Sequence, residues 1–343
     1  MSEIDIYPWT QRQWTALPQP PEAVPGTLLL AGPAGVGKRR FARLLAQGLL
    51  CANAGLDRRA CGNCSACRLF VSASHPDFRL IEPASTDEAS QTGAEGTGSA
   101  PTGQRPSRTI VVAQVRELGD FLAVTSHLGG HKVVLIQPAE RLHPSAANAL
   151  LKTLEEPRAG TVFMLVSDRP QQLLPTVRSR CFRIDFPVPE GGEALDWLRA
   201  NNVREPEIAL AQAGFAPLAA LELDQDGFWE RRRMLSDLLA AQGETASALA
   251  ATVSAEELPL LCSLLYRWCY DVLSLRLSGR VRYNPDYAKS LRRIADNAEV
   301  LQLQGLIRDL VSASRALEHP LNARLVIEQL AIRYTRTIAR RES

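Results

Sequence analysis

The sequence predicts an α/β fold built on a parallel sheet, followed by an all-helical C-terminal part. Three observations carry this. A short apolar run, Thr27 to Ala31, feeds directly into a glycine-rich loop. Short apolar runs then alternate with helical periods as far as Phe186. Beyond about Pro189 strand patterning fades into long Leu/Ala-rich stretches. Strands alternating with helices require crossover connections, and these give a parallel sheet covered by helices on both faces.

Taken in order, Thr27 to Ala31 reads as the first strand. Residues 32 to 38 read Gly-Pro-Ala-Gly-Val-Gly-Lys, the phosphate-loop pattern G-x-x-x-x-G-K, with Gly32, Gly35, Gly37 and Lys38 as the candidate phosphate-binding residues. Phe41, Leu44, Leu45 and Leu49 follow at helical spacing, with Arg39, Arg40 and Arg43 off that face. Lys132 to Ile136 reads as a second strand, and Thr161 to Ser167 and Phe182 to Phe186 as a third and fourth. Between them Ala147, Leu150, Leu151 and Leu154 mark a helix that ends before Pro157. Pro83 to Arg108 lacks any apolar period and is dense in Gly, Ser, Thr, Ala, Pro and Glu, so it reads as a flexible excursion. Phe228 to Ala251, Leu258 to Leu277 and Ala298 to Leu317 read as helical stretches.

The loop lacks the groups that hydrolysis needs. The pattern calls for Ser or Thr after the lysine, because that hydroxyl ligates the magnesium bridging the phosphates. Here the position is Arg39, which has donors and no lone pair. The second strand ends in Gln137-Pro138-Ala139-Glu140, where an acidic residue would hold the same ion. Glu140 reads as a solvated residue of the next segment. Two readings of the loop stay open: nucleotide held by the backbone amides and Lys38, or a tight strand-to-helix turn that binds nothing. Negligible ATP hydrolysis is expected in either case.

Cys51, Cys61, Cys64 and Cys67 have the spacing C-x9-C-x2-C-x2-C. Four thiolates with turn formers Gly62, Asn63 and Ser65 between them suit a closed, structural zinc shell. An iron–sulfur cluster and free surface thiols are the rival readings. Val71 stands where the iron–sulfur run needs its fourth cysteine. Cys181, Cys262 and Cys269 read as core residues, and His75 as a loop cap.

Composition narrows the class. The chain has 343 residues, which suggests two or three domains. A formal net charge of +2 argues against an autonomous nucleic-acid binder. No apolar stretch reaches membrane-spanning length and no signal peptide opens the chain, so a cytoplasmic location without membrane contact is expected.

The loop, the cysteine knuckle, Leu150-Leu151-Lys152-Thr153-Leu154-Glu155-Glu156-Pro157 and Ser179-Arg180-Cys181 together resemble the bacterial DNA polymerase III clamp-loader family over roughly residues 26 to 187. The decayed loop and absent acidic pair are similar to its delta-prime members rather than its gamma/tau motor. The resemblance implies an AAA+ module over 1–187, with a zinc module about 51–82 and an insert at 83–108. It also implies a helical lid over 188–227 and a helical collar over 228–343. It implies a five-subunit ring with gamma/tau and delta, acting on a sliding clamp and primer–template DNA within the DNA-directed DNA polymerase holoenzyme. It further implies that Arg180 is an arginine finger acting in trans, with Arg178 a nearby second candidate. Gly214-Phe215-Ala216-Pro217-Leu218 lacks the lid arginine of ATP-binding relatives. Two alternatives remain: a gamma-like ATPase motor, and a zinc-dependent nucleic-acid-binding module on a dead nucleotide fold. For the second, Arg58, Arg59 and Arg68 are the few basic residues near the cluster, and a solvated face explains them.

Overall fold

Among the described residues five strands form a single parallel sheet: β1 (Thr27–Ala31), β2 (Phe78–Ile81), β3 (Lys132–Ile136), β4 (Thr161–Ser167) and β5 (Phe182–Asp185), in the order β2-β3-β4-β1-β5. The computed structural model describes residues 6–18, 23–55, 57–83, 109–190, 192–223, 227–241, 245–316 and 322–338. The chain divides into two compact units, Met1–Glu193 and Ala194–Ser343.

In the first unit β1, β3 and β4 are buried along their whole length, as central parallel strands covered on both faces must be. One face packs on α4 (Val112–Arg116), α5 (Leu118–Ala123) and α6 (Pro144–Glu155), where Leu29, Val134, Ile136, Phe163 and Leu165 meet Val115, Leu118, Leu150 and Leu154. α1 (Gln11–Thr15) and α2 (Lys38–Leu50) bring Trp14 and Phe41 together edge-on at 5.3 Å, and Phe41 meets Phe186 at 4.9 Å. The parallel order puts the ends of β1, β3 and β4 side by side, the usual place for ligands in such sheets.

β2 is the strand the apolar pattern does not reveal. It is an edge strand of four residues, half-buried or exposed at Phe78, Arg79 and Leu80, so it carries no apolar run. Its start is fixed by Asp77, a fully buried carboxylate that accepts hydrogen bonds from the Ser126 hydroxyl and the His127 and Leu128 amides. His75 does cap this turn: its Nδ1 accepts from the Asp77 amide at 3.1 Å. Most of the expected excursion, from residue 84 to residue 108, lies outside the described residues.

The second unit is all-helical among its described residues. It carries α8 (Glu193–Ala200), α9 (Pro206–Gln212), α10 (Pro217–Leu223), α11 (Phe228–Ala240), α12 (Thr245–Thr252), α13 (Leu258–Ser278), α14 (Ala288–Asn297), α15 (Val300–Ala316) and α16 (Ala323–Ile338). The stretch Phe228 to Ala251 resolves into two helices, because α11 ends where Ala241 turns extended. Trp268 on α13 donates to the Tyr334 hydroxyl at 2.9 Å, and that hydroxyl donates to the Leu239 carbonyl. Cys262 and Cys269 are buried in the same core, as expected.

A buried polar network sits beside that core. Asp271, fully buried, accepts from the amides of Arg282, Tyr283 and Asn284 and from the Asn284 side chain. The Asn284 side-chain oxygen accepts from Gln212 of α9 at 2.9 Å and from Arg232 of α11 at 3.1 Å. Arg232 also forms a two-pronged ion pair with Asp286 at 2.7 and 2.8 Å. No described helix is long and apolar enough to cross a membrane.

Candidate functional site

The phosphate loop leaves the end of β1 and enters α2, as the pattern requires. Gly32 lies so close to the end of the sheet that a Cβ there would sit 2.1 Å from the Phe186 carbonyl oxygen. Gly37 has φ +95, and a Cβ there would strike the Tyr7 ring. Only glycine satisfies both positions. Trp9 donates its indole N–H to the Val36 carbonyl at 3.0 Å, so an N-terminal segment lies over the loop.

Lys38 does not point into open space. Its side chain is 2% exposed, its Nζ lies 2.6 Å from a carboxylate oxygen of Asp168, and it donates to the Pro33 carbonyl at 2.5 Å. Burial lowers its pKa from the ordinary lysine value, and Asp168 works against that. Asp168 follows β4 directly, and β4 is the neighbour of β1, so the acid arrives beside the loop through strand order alone.

Glu140 corrects the expectation of a solvated residue. The short turn Ala139–Arg141 swings it back, and its Oε1 accepts the Asp168 amide at 3.1 Å. Gln137, where a magnesium ligand would stand, is buried and turned the other way, donating to Glu82 at 3.0 Å. Arg39 is exposed at the start of α2. The loop thus keeps its shape and its lysine, while the positions for a divalent ion hold a cation and an amide committed elsewhere.

The cysteine expectation comes together in space. The ligand atoms of Cys51, Cys61, Cys64 and Cys67 all lie within 4.8 Å of one another. Cys51 and Cys61 are 3.5 Å apart, Cys51 and Cys64 3.9 Å, and Cys61 and Cys67 4.0 Å. A tetrahedral shell with Zn–S bonds of about 2.3 Å has sulfur–sulfur edges of about 3.8 Å, so the cluster fits a zinc ion. Cys64 caps α3 (Ser65–Val71), accepting the Cys67 amide, and this bond pulls its thiol down to about 6. Burial pushes Cys67 up. A bound cation would keep all four deprotonated together. Arg58 corrects a second expectation: it is not part of a solvated face but 1% exposed, reaching the Leu17 carbonyl. Arg59 pairs with Asp57, and Arg68 donates to the Asn63 carbonyl.

Arg180 lies between α7 (Pro175–Arg178) and β5, with its side chain 30% exposed. Its Nε and one terminal nitrogen donate to Glu155 at 3.0 and 2.9 Å, and the other terminal nitrogen donates to the Thr176 carbonyl at 3.0 Å. Glu155 closes α6, within the Leu150–Pro157 motif, and pattern reading gave it no role.

Comparison with known proteins decides the family. A family model described as DNA polymerase III, delta subunit, matches residues 20–190. A DNA polymerase III subunit delta' of Pseudomonas aeruginosa is 38% identical over 311 residues, covering 88% of this chain and 85% of that protein. The chain belongs to the DNA polymerase III delta-prime family. The Escherichia coli member is 30% identical over 339 residues, covering 95% of this chain and 94% of its own. A solved gamma subunit-related protein of Thermotoga maritima aligns with 96% of this chain at 18% identity and a TM-score of 0.43, a likeness too loose to build on.

Proposed function

We propose that this chain is the non-catalytic delta-prime component of a bacterial clamp loader. It assembles with gamma/tau and delta subunits in the cytoplasm to place a sliding clamp on primed DNA. One observation carries the reading: in a chain of this family, the phosphate loop is intact in shape, yet its lysine is tied to Asp168 and its magnesium positions are Arg39 and Gln137. Such a subunit contributes to ATP turnover through its neighbours. Residues 188–227 would form the lid and 228–343 the collar that joins the ring. The cysteine cluster would hold a structural zinc, with no coordination position left for substrate.

Arg180 is the group offered to the adjacent ATP site. Three of its five N–H donors are engaged by Glu155 and Thr176, so two remain for phosphate oxygens. A permanently charged planar guanidinium offsets charge developing on the transferred phosphoryl group. Its exposed pair with Glu155 contributes about 0–1 kcal/mol, so the arginine can be drawn away at little cost. The test is a loader reconstituted with Arg180→Ala. We expect the ring to assemble and ATP turnover to fall roughly 100-fold or more at the affected site. Unchanged turnover in an assembled ring would remove Arg180 from this role.

A further inference from the structure

The missing magnesium ligands explain why the loop would not hydrolyse nucleotide, but not why it would fail to bind it. Backbone amides and a lysine suffice to hold phosphate without a metal. What distinguishes this loop is the company of Lys38. Asp168 sits 2.6 Å from its ammonium, and Glu140 accepts the Asp168 backbone amide at 3.1 Å. Asp168 therefore stands where a lysine of this motif would meet the terminal phosphates of a nucleotide, and the Glu140 charge also favours the Lys38 ammonium. We propose that Asp168, seated by Glu140, is an internal counter-anion that excludes polyphosphate from the Gly32–Lys38 loop.

The physical case is a contest of charges at short range. An entering pyrophosphate must share Lys38 with a carboxylate already in contact with it, in the field of the Glu140 charge that also acts on that ammonium. Like charges a few ångströms apart near a protein surface repel strongly. Asp168 keeps its advantage because it pays no association entropy. The side chain of Asp168 is 29% exposed, so it can be neutralised without burying anything new. An asparagine oxygen at this position can still accept a hydrogen bond from Lys38, so the substitution is expected to keep the loop geometry.

The inference rests on reading Gly32–Lys38 as a phosphate loop without magnesium ligands, and one experiment separates the two. The full chain and its Asp168→Asn variant are titrated calorimetrically with inorganic pyrophosphate and with ADP, with and without magnesium. The parent chain should bind neither measurably. Asp168→Asn should bind pyrophosphate about tenfold or more tightly, without needing magnesium, and Asp168→Asn combined with Lys38→Met should return to the parent behaviour. Glu140→Gln, which keeps the hydrogen bond to the Asp168 amide, should shift affinity in the same direction by less. Exclusion by Asp168 is overturned if the folded variants bind no better than the parent, or if the parent already binds pyrophosphate as tightly as Asp168→Asn. Pyrophosphate or ADP binding by Asp168→Asn that requires magnesium would instead overturn the reading of a loop without metal ligands.

Discussion

The cysteine knuckle and the phosphate loop both have the shape of a ligand cradle, and they stand in opposite states. In the knuckle the four ligand atoms lie within 4.8 Å of one another, and three of the sulfur pairs are 3.5 to 4.0 Å apart. In the loop the cradle is shaped but its lysine is already satisfied by Asp168, 2.6 Å away. The difference teaches that packing alone can demand a motif's glycines, independently of any ligand. Gly32 and Gly37 are required by the close approach of Phe186 and Tyr7, whether or not phosphate ever arrives. Three of the cysteines have no such packing duty, since Cys61 is exposed and Cys51 and Cys64 half-buried, while Cys67 alone of the four is buried. Their convergence is better explained by a shared ligand.

The largest effect separating the two regions should come from Cys64→Ser. Loss of one thiolate opens the shell, while the serine hydroxyl can still cap α3, so we expect bound zinc to fall well below one per chain and stability to drop by several kcal/mol through the metal alone. Metal quantification and thermal unfolding check this; full zinc retention would break the comparison at its stronger end. A middle-sized effect should distinguish the partners within the loop. Asp168→Ala strands a buried ammonium and should cost roughly 3 kcal/mol, whereas Lys38→Met leaves a carboxylate that water can reach and should cost about 1 kcal/mol. Equal losses in denaturant unfolding would show that Asp168 does not hold the lysine. The smallest effect belongs to Arg39→Thr. It restores one magnesium ligand at an exposed position, should change stability by less than about 0.5 kcal/mol, and should confer no ATP hydrolysis while Gln137 stays in place.

How much of this was legible in the sequence follows from what each feature depends on. β1, β3 and β4 appear at the boundaries their apolar runs mark, because strands buried on both faces must be apolar throughout. β2 escaped because an edge strand with Arg79 in it has no such signature. The knuckle was legible because its ligands lie close in sequence. The partners of Lys38 and Arg180 were not, because Asp168 and Glu155 reach them through strand order and helix placement. One clue was present: Asp168 directly follows the strand that pairs with the one feeding the loop, but that pairing is known only once the sheet is assembled. Arg58 and Glu140 misled for a related reason, as charged residues in turn-like segments look solvated until the chain folds over them.

The bonds at Asn284 carry a mechanical consequence. Gln212 lies in the segment expected to act as a lid, while Arg232 and Asn284 lie in the segment expected to act as a collar, and all three meet at one side-chain oxygen. Oil-like contacts can slide past one another with little change in energy, but directional bonds shielded from water resist shear until they break. Motion of one segment must therefore drag the other with it, so any hinge in this half of the protein has to lie outside the cross-brace.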